Sequence, residues 1–190
     1  MRFLLPVVVA ALLVAACGSP GLSMSEYVDR INEMNDEYGP QAEAAWVEFL
    51  ELPEPTTGDF KTLADHQVTN RVALERLLGE VDPPREIAEL HDLLTTWVTA
   101  LRQATEAMAG RAGTVTGWDE LLQSAEYRRF ESTLIGGAEM CDEFQAKLDA
   151  AAAREGFAVE AWLVADLEEV ADAVMGCDSI PEDLDTALGR

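Results

Sequence analysis

A seam of apolar residues at alternating steps of three and four constrains this chain most: Ile87, Leu90, Leu94, Trp97, Leu101, Ala104 and Met108. In an α-helix such positions share one face, and this spacing is the one with which antiparallel bundle helices pack at shallow angles. Similar seams recur along the chain. One runs Tyr27, Ile31, Met34, Tyr38, Ala42, Ala45, Phe49, Leu52. Another runs Tyr127, Phe130, Leu134, Gly137, Cys141, Phe144, Leu148, Ala151, and a last one Val159, Leu163, Leu167, Val170, Val174, Cys177. Strand alternation is nearly absent and no internal repeat is apparent. The expected fold is therefore all-α, an antiparallel bundle of four to five helices over residues 23–177.

Punctuation between the seams sets the element limits. Ser23 followed by Glu26 is a capping-box pattern that opens the first helix. Gly39-Pro40 falls inside the first seam without changing its phase, which predicts a kink rather than two elements. Residues 53–58 read as a loop, Asp59 as the cap of a second helix reaching about Val81, and Asp82-Pro83-Pro84 as the start of the third. The glycines between Gly110 and Gly117 predict a loop, Trp118 to Gln123 a short helical turn, and Ser124 a new cap. Gly156 closes the next helix, and residues 178–190 form an acidic tail.

The N-terminus has a different character. Arg2 precedes an apolar run from Phe3 to Ala16, which is 14 residues long and ends in Cys17-Gly18-Ser19-Pro20-Gly21. Crossing a membrane takes roughly 20 residues, so the layout is that of a secretory signal peptide. The string Leu13-Val14-Ala15-Ala16-Cys17 resembles a bacterial lipobox, where signal peptidase cuts before a cysteine carrying diacylglycerol. The resemblance implies a signal peptide over residues 1–16, lipidation of Cys17, and a lipidated tether over residues 17–22. It places the protein outside the cytoplasm, on the outer face of the cell membrane. One acyl chain anchors weakly, but two hold stably. An ordinary signal peptide cut elsewhere is the other reading.

Together, the lipobox, the acidic helical body and a late cysteine pair resemble the secreted helical lipoproteins of high-GC Gram-positive bacteria. Asp82-Pro83-Pro84 ahead of Ile87-Ala88-Glu89-Leu90-His91, and Leu122-Gln123-Ser124-Ala125-Glu126-Tyr127, are looser points of similarity. No activity comes with this resemblance, so Cys17 alone takes a role from it.

Charge narrows the partners. The chain carries 13 Lys and Arg against 36 Asp and Glu, a net −23, and removing Arg2 with the signal makes it −24. Nucleic acid binding depends on neutralising phosphates with basic residues, so nucleic acid is excluded as a partner. An anionic membrane surface would also repel such a domain. Contact with the membrane is expected through the lipid on Cys17, and with an envelope protein partner.

Cys141 and Cys177 remain as an even pair in an oxidising compartment, and both fall on the apolar phase of their helices. About a turn at Gly156, Cys141 lies 15 residues before and Cys177 21 after. The mismatch of six residues is about 9 Å, small enough for turn residues and Gly176 to absorb, and a Cys141–Cys177 disulfide is predicted.

Catalytic templates fail. The chain has no Gly-rich phosphate loop, no G-x-S-x-G, no H-E-x-x-H and no C-x-x-C-H. Neither His66 nor His91 has a Glu three residues before it, as a di-iron bundle requires. Reflected about Pro83 the two histidines lie nine residues apart, about 13 Å, too far to share one ion. His91 reads as a hydrogen-bonded boundary histidine, and the carboxylates at Asp166, Glu168, Glu169 and Asp172 as a solvated face. No enzyme activity, cofactor or metal is expected.

One stretch breaks the bundle pattern. Gln67 and Asn70 occupy apolar positions of the second helix, inside the polar run Asp65 to Arg71. Three readings compete. The helix rotates to bring Val68 and Val72 inward, or the amides form a network with Thr95, Thr96 or Thr99. In the third, Gln67, Asn70, Arg71 and Trp97 line a polar ligand cavity. Trp46, Trp97 and Trp162 read as core, and Trp118 as a lid over the bundle end or an exposed anchor. The leading expectation is an interaction module at the cell envelope. A small-ligand carrier and a divalent-cation binder using surface carboxylates are the alternatives.

Overall fold

The computed structural model describes residues 21–153. At the first helix, the Ser23 hydroxyl accepts the Glu26 N–H while the Glu26 carboxylate accepts the Ser23 N–H at 2.9 Å. Two orphan donors are thereby satisfied. The helix so opened, α1, spans Met24–Leu50 as one element through Pro40. Proline removes an N–H from the ladder, and next to it the Gln41 side chain donates to the Glu37 carbonyl at 2.7 Å.

The second helix, α2, spans Thr57–Glu80. Its cap is Thr56, not Asp59. The Thr56 hydroxyl accepts the Asp59 N–H, and Asp59 closes the capping box as its third residue. Residues 81–84 and a 3-10 turn over Arg85–Ile87 then lead into α3, Ala88–Ala112. The chain entry is fastened to this turn by the Leu22 N–H, which donates to the Asp82 carbonyl at 3.0 Å. A Cβ at Gly21 would approach the Pro83 carbonyl to 2.7 Å, so this close approach requires glycine.

All seven residues of the third seam, from Ile87 to Met108, are buried. The helix also runs further than its glycines suggest. Gly110 is helical, because Ala109 and Ala112 bury the same face as Met108. That packing offsets the cost of about 1 kcal/mol for an internal glycine. A short α4, Trp118–Leu122, follows the remaining loop. Ser124 then accepts the Tyr127 N–H at 3.1 Å at the start of α5, Ala125–Ala152.

The described residues thus form an all-α bundle with no strand among them. Helix α3 packs against both α2 and α5, and α1 against α2. A main apolar cluster joins Tyr27, Ile31, Leu78, Leu94, Trp97, Phe144 and Leu148. A smaller one at the other end joins Met108, Ala112, Val115, Leu121 and Tyr127. Each fully buried apolar side chain contributes about 1.5–3 kcal/mol. No helix among the described residues is long and apolar enough to cross a membrane. Cys17, the seam from Val159 to Cys177, Trp162 and the acidic tail lie outside the described residues.

Candidate functional site

Polar side chains do enter the contact between α2 and α3, though not as the sequence pattern suggests. Gln67 is buried, with 6% of its surface exposed, while Val72 is 49% exposed. Val68 is partly buried, but the helix has not rotated to turn Val72 inward in place of Gln67. Gln67 Nε2 donates to the Ala42 carbonyl at 3.0 Å, so its partner is α1 rather than the threonines of α3. Arg71 donates to Thr105 Oγ1 at 3.3 Å. Glu75 accepts from Thr99 Oγ1 at 2.8 Å and pairs with Arg102, which also reaches Glu106.

These pairs set the register. Arg71 faces Thr105 and Glu75 faces Thr99, so the antiparallel pairing is centred near residues 87–88 and not at Pro83. Gln67 lies eight residues before Glu75, about 12 Å along the axis, out of reach of Thr95, Thr96 and Thr99. The expected network with those threonines does not form for this reason. Thr99 binds Glu75, and Thr95 bonds its own helix at the His91 carbonyl.

The residues named for a cavity occupy three environments. Gln67 meets α1, Asn70 and Arg71 are partly buried, and Trp97 belongs to the main apolar cluster with Leu77 and Leu78. Burial pushes the Arg71 guanidinium down to about 10. Trp97 Nε1 is buried without a hydrogen-bond partner among the described residues. Two of the hollows on the described surface border α3. One, about 600 Å³ and wide open, runs along α3 at Asp92, Thr95, Thr96, Thr99 and Gln103. The other, about 360 Å³, lies between α3 and α5 at Arg85, Glu86, Glu89, Glu143 and Lys147. Neither is lined by Gln67, Asn70, Arg71 or Trp97.

The histidines separate as expected, and by more. His66 is exposed; His91 is buried, 3.2 Å from the Tyr27 hydroxyl. Among the described residues, no three His, Cys, Asp or Glu side chains converge on a metal-sized point. Cys141 sits half-buried against the main cluster and is disulfide-bonded. Its expected partner Cys177 lies outside the described residues.

The bundle end opposite the Pro83 turn holds the feature that the sequence pattern concealed. Phe49 of α1 meets Phe60 at 5.9 Å and Trp118 at 6.5 Å between ring centroids, edge to face. Trp118 Nε1 donates to the Pro55 carbonyl at 2.8 Å, so this tryptophan is a lid and not a free anchor. Trp46 is not core. It is 39% exposed, beside Val47 at 47% and Leu50 at 72%. Val47 and Leu50 lie on the face of α1 turned away from the buried stripe Tyr27, Ile31, Met34, with Trp46 at its edge. The signal available in the sequence was the departure of all three positions from the seam.

No protein-family model matches the chain, and no curated protein or solved structure matches it either.

Proposed function

We propose that the protein is a lipid-anchored interaction module of the cell envelope. Diacylglyceryl Cys17 holds it on the outer face of the membrane, and the helical bundle presents a docking face to an envelope protein. The lipobox-like string ending at Cys17 supports the anchor. The observation that carries the interaction reading is the exposure of Trp46, Val47 and Leu50 together on one helix face. Single apolar residues on a surface are ordinary, but a contiguous group marks a contact surface. The polar residues of the α2–α3 contact are engaged with neighbouring helices, which supports a structural role for them.

Native electrophoresis of mild detergent extracts tests this reading. The anchored wild-type protein is expected to migrate as a complex larger than its own mass. Val47→Ser/Leu50→Ser should run as the free protein, and Cys17→Ala should leave the membrane fraction and lose fatty-acid labelling. A wild type that migrates alone contradicts the module reading. Unchanged lipid labelling of Cys17→Ala contradicts the anchor.

A further inference from the structure

We infer that the outward face of α1 beyond Pro40 docks a basic amphipathic helix of a partner protein. The inference rests on the interaction reading above and adds the chemistry of the partner. Trp46, Val47 and Leu50 supply about one helical turn of exposed apolar surface. The segment is held in place from behind. Phe49 is wedged edge-on against Phe60 and Trp118, and the α1 C-terminus is closed by the Glu51 N–H donating to the Val47 carbonyl at 3.0 Å. A preformed face of this kind loses little freedom on binding.

Charge selects what can cover it. No Lys or Arg occurs between Arg30 and Lys61, whereas Glu43, Glu48, Glu51 and Glu54 all lie exposed around the apolar turn. A partner carrying Lys or Arg on the flanks of an apolar stripe satisfies both features at once. A second copy of this chain would bring the same carboxylates and be repelled. The residues 154–190 of the chain itself carry ten acidic and two basic side chains, so they would be repelled as well. An anionic lipid surface is opposed on the same ground.

The partner element is a helix because of the shape of the surface. Side chains at positions 46, 47 and 50 form helical ridges, which receive the ridges of another helix. The described residues offer no strand edge to extend. From Glu43 to Leu50 the helical surface is seven residues long, about 10 Å at helical rise, or two turns of a docked helix.

Fluorescence anisotropy with the full chain in detergent and labelled 18-residue peptides tests the inference. The probes are a Leu/Lys amphipathic helix, its Leu/Glu counterpart, and a Lys/Ser peptide of equal charge without the apolar stripe. The Leu/Lys peptide should bind at least tenfold more tightly than either other probe. Its affinity should fall at least tenfold with Val47→Ser/Leu50→Ser, a variant of unchanged charge, and should weaken as salt is raised. Equal binding of the Leu/Glu peptide overturns the basic partner while leaving the face as an interaction surface. Unchanged Leu/Lys binding by the double variant overturns the site, the attraction then being diffuse charge alone. Self-association of the full chain that the double variant abolishes also overturns the inference, in favour of a second copy.

Discussion

The Tyr27 hydroxyl lies 3.2 Å from His91 Nδ1 inside the bundle and joins α1 to α3. Which of the two supplies the shared proton follows from the imidazole tautomer. Burial lowers the His91 pKa from its ordinary 6.5, against the opposing pull of Leu78 and Asp92. The unfolded chain therefore binds this proton first. The stability contributed by neutral His91 is complete above about pH 6.5 and is lost as the pH falls from there through the folded value. The urea midpoint of the wild type should drop between pH 7.5 and 5.5, and His91→Gln should flatten that slope. The carboxyl of Glu75, lowered by its hydrogen bonds from Arg102 and Thr99, acts in a separate window below its ordinary 4.5. A midpoint that does not move above pH 5.5 contradicts the role given to His91.

Trp97 separates packing from hydrogen bonding. Its indole is buried in the main cluster, yet Nε1 finds no partner among the described residues. Leaving a donor unpaired costs about 1–3 kcal/mol. Trp97→Phe removes that donor with only part of the volume and should cost little, under about 1.5 kcal/mol. Trp97→Ala should cost about 3–5 kcal/mol by opening a cavity. Equal losses for the two variants, measured by denaturant unfolding, would show that the N–H is satisfied.

Arg71 is desolvated without an ion pair among the described residues, and its hydrogen bond there is to Thr105. A buried charge without a counter-charge is destabilising unless other bonds offset it. Arg71→Met keeps the apolar stem and should leave the unfolding midpoint unchanged or higher, whereas Arg71→Ala should lower it through lost packing. A drop of several kcal/mol in the Met variant would contradict this and show that the bonds of the guanidinium outweigh its desolvation.

Cys141 is disulfide-bonded, and Cys177 is the partner expected from the sequence. Non-reducing peptide mapping of the mature protein should recover Cys141 joined to Cys177. A bridge closing a loop of roughly 35 residues stabilises by about 3–4 kcal/mol in the chain-entropy treatment, so reduction should lower the melting temperature. Recovery of Cys141 joined to Cys17 would refute both this pairing and the lipidation of Cys17.

The α3 seam was legible because that helix is covered by neighbours on two sides, so its periodicity alone decides burial. Capping of α1 at Ser23 was legible for a similar reason, since a box spans only four residues. Gln67 was not, because its partner sits on another helix and depends on register. Residues 85–87 form a 3-10 turn, and this moves the centre of pairing away from Pro83, where reflection had placed it. The same shift hid the Glu75, Thr99 and Arg102 contact. Trp46 was misread as core because it stands one position from a seam residue. Beyond Pro40 the half-buried positions of α1 are Ala42, Ala45 and Phe49, and the tryptophan falls at their edge.

The most direct measurement is photo-crosslinking in intact cells from a reactive amino acid placed at position 50, with the exposed position 132 of α5 as control. A discrete crosslinked protein is expected from position 50, lost in the Val47→Ser background, with a contact peptide that is basic and amphipathic. Absence of any discrete product from position 50, or the same product from position 132, would contradict the claim that this face of the anchored bundle is its interaction surface.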